Sequence, residues 1–320
     1  MRRLAYGVVA AIIAIALIAL AGAALGHSPR QLLSILVNGS IGSSFAIEGT
    51  LLKSVPLLLT GLSVAIAFRA GVWNIGGEGQ FIVGALAAFL ASRFGVVASL
   101  AAAMLAGAAW SSIATAMRMW RNAPEVLTTI LLNFIAIQLL GWCVNGPMQE
   151  SVRQYPQTDT AGAALPSLGG LPIAIVACVV AWWMLYRTAE GLRLRATGFN
   201  PFAARWAGVN VSAQIARAMA ISGAAAGLAG GIELLGVTHR LFERFAAGYG
   251  YSGIAVALLA NLHPLATILS GLFFGALVTG AGELQRTANI SAAVATLAQA
   301  IVILILIVFG AIEKRRRWPS

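Results

Sequence analysis

Ten stretches of this sequence are so apolar that a water-soluble fold has nowhere to hide them. They run near 4–25, 51–68, 78–92, 95–117, 126–145, 171–187, 214–236, 251–262, 264–283 and 290–311. Charged residues make up 10% of the 320 positions, and mean hydropathy is +0.87. A soluble domain carries about 25% charged residues. In a bilayer every backbone polar group must be satisfied internally, which leaves helices or a closed barrel. Runs near 20 residues match a helix crossing about 30 Å of hydrocarbon, far longer than barrel strands of about 10 residues. The expected fold is therefore an all-α polytopic membrane protein of about ten transmembrane helices. The runs 78–92 and 251–262 are short for that thickness, so each either spans with help or re-enters. Gly and Ala pervade the runs, as in "SGAAAGLAGG" at 222–231, and small residues let helices approach closely in lipid.

The basic residues give the orientation. The net charge is +11, and two of the 21 cations are Lys; the rest are Arg. They sit in the short segments between runs rather than on one face, which is a topology signal and excludes a nucleic-acid surface. With Arg2 and Arg3 placed inside and the chain alternating, 14 basic residues fall inside and 7 outside. Both termini are then cytoplasmic. Residues 1–28 carry a basic start and an apolar run longer than the ~7–15 residues of a secretory core, so they read as a retained span. The longest outside segment, 146–170, is rich in Pro, Gly and polar residues; the longest inside one is 188–213. Neither holds a soluble domain, and 1–320 reads as one transmembrane domain.

Each half of the chain contains a short Gly-rich apolar element: "GVWNIGGEGQ" at 71–80 and "AAGYGYSGIAVALLANLHP" at 246–264. Paired interrupted segments point to a transport pathway between inverted repeats, here five spans plus five. In the first element Asn74 is placed to cap a helix beginning near Ile75, with Glu78 in its first turn where the helix dipole favours a carboxylate. An ionisable group at membrane depth costs at least ~2.5 kcal/mol, so Glu78 is expected to face the bundle interior. Thr129 and Asn133 share a face four residues apart. These residues, with Trp73, Gln80, Tyr251 and Ser252, form the candidate substrate pathway.

Catalysis finds little support. There is no phosphate-binding loop, no dinucleotide fingerprint, and no cofactor or metal-ligand spacing. Cys143 and Cys178 lie in apolar runs as small buried hydrophobes. "GYSG" places Ser252 in an intramembrane serine-protease context, but such a serine needs a histidine facing it from another helix. His27, His239 and His263 all fall outside the late spans. In the 188–213 segment, Phe202, Trp206 and Val209 make an apolar stripe on a short helix begun by Asn200 and Pro201, flanked by Arg195 and Arg205. Such a stripe either lies on headgroups or docks a cytoplasmic partner.

Several blocks carry a family resemblance. "AFRAGVWNIGGEGQFIVGALAA" resembles the "FNIGAEGQ" signature of bacterial ABC importer permeases for nucleosides and simple sugars, a superfamily that includes branched-chain amino acid, ribose and vitamin B12 permeases. "APEVLTTILLNFIA" (123–136), "GLRLRATGFNPFAARWAGVNV" (191–211), "GLAGGIELLGVTHR" (227–240) and "GYGYSGIAVALLANLHPLATILSGLFFGAL" (248–277) are similar to further blocks of that family, in the same order. The sequence departs from the pattern at Val72-Trp73 and at Gly77. The resemblance implies a permease in the bacterial inner membrane without enzymatic activity of its own. Its implied partners are a second homologous permease, a cytoplasmic ATP-binding subunit and an extracytoplasmic substrate-binding protein. It also implies that the 188–213 loop couples to the ATPase through Gly191, Arg193, Arg195, Gly198, Asn200, Pro201, Ala204, Arg205 and Gly208. The alternative from another class is a stand-alone ion-coupled transporter, with Glu78 or Glu233 as its coupling carboxylate.

Overall fold

The computed structural model describes residues 28–288, together with Ala16 and Ala300. The expected spans 4–25 and 290–311 lie outside the described residues. Helices are α1 (Pro29–Ile41), α2 (Ser44–Arg69), α3 (Gly77–Ala91), α4 (Val96–Arg121), α5 (Glu125–Asn145) and α6 (Gly170–Arg187). They continue with α7 (Ala189–Phe199), α8 (Pro201–Trp206), α9 (Val211–Glu233), α10 (Tyr249–Leu259) and α11 (Ala266–Ala288). A 3₁₀ turn, Ser92–Phe94, follows α3, and a π turn, Leu234–Thr238, prolongs α9. Extended pairing among the described residues is limited to an isolated bridge, Gln157 to Phe242.

Six helices among the described residues are long and apolar enough to cross a membrane: α2, α4, α5, α6, α9 with its π turn, and α11. The two short runs form α3 and α10, of 15 and 11 residues. At 1.5 Å per residue they extend roughly 22 and 16 Å, less than the bilayer core. The segment between the first two runs contains α1, capped by Ser28, whose hydroxyl accepts from Gln31 N at 3.2 Å. An outside segment with Ser before Pro-Arg-Gln is a good helix start, and its apolar residues pack α1 against α11.

Helices α2 and α9 are the inner pair, with 78% of their most apolar window buried, against 22% for α4 and 28% for α6. The outer helices turn large apolar side chains outward, among them Leu105, Trp120, Phe134 and Trp183. The inner pair runs antiparallel and is pinned by Ser63 and Ser222, whose hydroxyls lie 2.9 Å apart. Close approach of α9 to α3 and α4 depends on Gly227, where a Cβ would overlap the Ala103 carbonyl. Pro56 sits inside α2, where it removes one backbone donor, and Thr60 Oγ1 donates to the Pro56 carbonyl at 2.7 Å.

At the end that the charge bias assigns to the outside, residues 157–165 run beside the chain leaving α9. Thr158 N donates to Leu241 O at 2.9 Å, Ala161 N to His239 O at 2.8 Å and Leu165 N to Leu235 O at 2.7 Å. Glu150 anchors this lid: it accepts from Tyr155 N and Gln157 Nε2 and pairs with Arg240 at 3.1 Å. Those bonds, the Gln157 amide first, hold the Glu150 carboxyl below the usual carboxylate range.

Candidate functional site

The chain leaves α2 at Arg69, turns through Gly71 at φ 74°, and runs unwound to Gly76. Only then does α3 begin, with Gly76 at its N-cap and no side chain capping it. Asn74 lies too far upstream to cap α3; its Oδ1 instead accepts from Gly76 N and Gln80 Nε2, both at 2.9 Å. Its amide group donates to Gln80 Oε1 at 3.0 Å and to Ser222 Oγ at 2.8 Å. The helix's orphan donors are met from α5: Gly79 N gives its bond to Asn133 Oδ1 at 2.8 Å. Asn133 Nδ2 then donates to the Ile75 carbonyl at 2.9 Å and to Tyr251 Oη at 3.2 Å. An unwound strand inside an apolar bundle requires such partners for every exposed backbone group.

Glu78 points away from its own helix. Its carboxylate accepts from Gly248 N at 2.9 Å and Gly250 N at 2.7 Å, the first amides of α10. Two helix N-termini thus converge on one carboxylate, each contributing the positive end of its dipole. The backbones touch there: a Cβ on Gly250 would overlap the Glu78 backbone. Depth follows from the neighbours of α10. Tyr249 Oη lies 2.9 Å from Lys53 Nζ, and Gly253 abuts Thr60. The junction at Gly250 is therefore level with the middle of the 26-residue α2.

Trp73 is 54% and Tyr251 38% exposed, and Ser252 is partly buried. Trp73 leans on Phe68, ring centroids 4.7 Å apart. Asn74, Glu78, Gln80 and Asn133 are each at least 96% buried and spend their polar atoms on the protein itself. Ser252 and the nearest histidine in sequence, His263, lie at opposite ends of α10, and the His263 ring stacks on Tyr186 at 5.1 Å.

The 188–213 segment folds into α7 and α8 and opens α9. Thr188 caps α7 through Gly191 N at 3.0 Å, and Asn200 caps α8 through Ala203 N at 3.0 Å. Glu190 binds α7 to α9, accepting from Gln214 Nε2 at 2.9 Å and pairing with Arg193 and Arg217. The Gln214 bond foremost, then the two arginines, holds the Glu190 carboxyl below its ordinary range. Gly198 rests on the end of α2, where a Cβ would overlap the Arg69 carbonyl. Arg69 in turn donates to Leu262 O at 3.0 Å and Asn261 O at 2.8 Å, just past the end of α10. Facing outward, Phe199, Phe202 and Trp206 are 95, 69 and 78% exposed, and Arg205 is exposed among them.

This arrangement has relatives. Residues 46–310 match the family described as the branched-chain amino acid transport system / permease component. The chain belongs to this permease family. It is 32% identical to the glucose ABC transporter permease protein TsgB13 of Haloferax volcanii, over 95% of this chain and 87% of the relative. It is 32% identical to the guanosine ABC transporter permease protein NupP of Bacillus subtilis, over 87% of this chain and 86% of that one. The nucleoside ABC transporter permease protein NupB of Lactococcus lactis is 30% identical, over 81 and 78% of the two chains.

In the permease, Asn74, Glu78, Gln80, Asn133 and Tyr251 meet at one junction; Trp73 packs on Phe68 at the end of α2, and Ser252 lies in the first turn of α10. Of the loop residues, Arg205 faces outward beside the capping pair Asn200 and Pro201, whereas Ala204 is buried and Gly191 and Gly198 are close-packing sites. Gly208 supplies a left-handed turn at φ 78°. Arg193 is paired to Glu190. Arg195 lies inward, its guanidinium 4.8 Å over the Tyr186 ring. Sequence reading missed Lys53, Ser63, Ser222, Tyr249 and Arg69 as parts of the site. Lys53 and Glu233 are the signal that was available, one Lys and one Glu in otherwise apolar runs.

Proposed function

We propose that this permease is the membrane subunit of an ATP-driven ABC importer for nucleosides or related sugar-containing solutes. In this reading it works with a second homologous permease, a cytoplasmic ATP-binding subunit and an extracytoplasmic binding protein. It spans the inner membrane of a bacterium about ten times, with both termini in the cytosol and two related halves of opposite sense. The observation that carries the proposal is the exposed set Phe199, Phe202 and Trp206 on α7–α8, large aromatics presented beside Arg205 and left uncovered by the described residues. Buried aromatic and arginine anchors are what dominate protein interfaces, and an ATPase groove is the occupant the family predicts.

The packing supports a route for the stroke. Movement of α8 reaches α7, then Gly198 and the Arg69 turn, and from there both the unwound 71–76 segment and the end of α10. The two half-helices share the Glu78 junction, so they tilt as one. The path itself offers Trp73, Tyr251 and Ser252 with few free polar groups, which lets a neutral solute leave as readily as it enters.

The test is co-purification. With Phe202→Ala and Trp206→Ala combined, the permease pair is expected to reach the membrane but to lose the ATP-binding subunit, and transport with it. An intact complex that still hydrolyses ATP in response to loaded binding protein would sink the docking role.

A further inference from the structure

Glu233 is a charged residue without a hydrogen bond to its carboxyl group among the described residues, although it is 97% buried. At the same end of the inner helix pair stand Lys53 on α2 and Tyr249 at the start of α10. Lys53 Nζ donates to Tyr249 Oη at 2.9 Å, yet no ion pair joins Lys53 to Glu233 among the described residues. Residues of opposite sign thus stand on the two inner helices without a direct bond among the described residues. Its carboxyl oxygens are not among the fully enclosed unpartnered atoms, so they keep some accessible surface although the residue is buried.

Their depth is the same. From the Ser63–Ser222 contact, Lys53 lies ten residues along α2 and Glu233 eleven along the antiparallel α9, about 15 Å in each case at 1.5 Å per residue. That places them on the outer side of the half-helix junction, next to Tyr249, whose neighbours Gly248 and Gly250 bind Glu78. Lys53 is only partly buried and forms the open edge.

We propose that Glu233, Lys53 and Tyr249 form a solute-binding site in the transport path, with chemistry suited to a vicinal diol. A carboxylate accepts two hydroxyl protons at once, while an ammonium and a phenol donate to the hydroxyl oxygens. Ribose rings and free sugars both present such pairs, and either would complete the Glu233 shell as it passes. The proposal rests on the importer reading above.

The experiment uses the complete importer in proteoliposomes, driven by saturating loaded binding protein. Uptake of guanosine and 2′,3′-dideoxyguanosine, and of D-glucose and 2,3-dideoxy-D-glucose, analogues that keep no vicinal hydroxyl pair, is compared in wild type and Glu233→Gln. Whichever parent solute the wild type carries identifies the source of the diol. For that solute, Glu233→Gln is expected to lower the maximal rate about tenfold while its deoxy analogue is slowed less than twofold. Tyr249→Phe, which keeps the ring packing, is expected to give the same pattern more weakly and covers the case in which Glu233→Gln does not assemble. Equal slowing of parent and analogue in both variants, or no slowing, overturns the site and leaves a packing role. A wild type that carries none of the four solutes overturns the importer assignment, and this site with it.

Discussion

Replacing Gly250 by Ala tests whether the contact between α3 and α10 holds the permease together. The added methyl would overlap Glu78 N and Cα and the Gly77 carbonyl carbon, all backbone, so no side chain can swing aside. The two N-termini must separate, and the bonds from Gly248 N and Gly250 N to the carboxylate, 2.9 and 2.7 Å, are lost or lengthened. A hydrogen bond to a charged group contributes about 1.5 kcal/mol at the low end, so the pair gives roughly 3 kcal/mol. Two controls separate this from generic glycine effects. Gly141, in the exposed wall of α5, has nothing within 4 Å of where a Cβ would sit, so Gly141→Ala should add up to ~1 kcal/mol of stability. Gly248 also has open space but sits at φ 83°, so Gly248→Ala should lose about 1–2 kcal/mol from backbone strain alone. At ~2–4 °C per kcal/mol for chains approaching this size, Gly250→Ala should melt roughly 6 °C or more below wild type in detergent. Gly141→Ala should match or exceed wild type, with Gly248→Ala between. If Gly250→Ala melts with Gly141→Ala, the junction contributes nothing and the reasoning fails.

Other outcomes follow from the inside loop. The Glu190 carboxyl is depressed in the folded chain, so its ties to Gln214, Arg193 and Arg217 are complete above the ordinary carboxylate range and are lost as pH falls through the depressed value. Hydrogen exchange of 189–199 should therefore accelerate on acidification in wild type, whereas Glu190→Gln should show no such acid-side step. Gly198→Ala should push α7 off the Arg69 carbonyl, leaving ATPase binding intact and cutting transport per ATP severalfold; unchanged coupling would contradict that path. Arg205→Glu should weaken ATPase co-purification, while Arg195→Glu, whose guanidinium stacks on Tyr186, should lower the thermal midpoint first.

Much of the fold was legible because apolar length is a one-dimensional signal. The runs now seen as α2, α4, α5, α6, α9 and α11 stand out from the sequence with errors of up to seven residues at their ends. The short runs were visible too, since 15 and 11 residues are too few to cross lipid. What stayed hidden was direction. A carboxylate in the first turn of a helix reads as serving its own dipole, and Asn before a helix reads as its cap. Glu78 serves the other half-helix instead, and the Gly79 amide in the first turn of α3 is met by Asn133, fifty-four residues away. Spacing along one helix carries no information about which distant amides lack partners.

The same accounting separates support from passage. Glu78, Asn74, Gln80 and Asn133 have their hydrogen bonds filled by protein, and a group already satisfied offers a solute little beyond what it must give up. Their presence at the junction follows from the need to satisfy the unwound 71–76 segment inside an apolar bundle. Glu233 differs in kind, because it is equally buried and receives no donor among the described residues. If a bundle of this composition tolerates one unmet carboxylate near a lysine that bonds only a phenol, the economical explanation is that the missing donors arrive and leave with the cargo. On the proposal above, the polar residues best connected to the protein hold the junction, and the least connected one meets the solute.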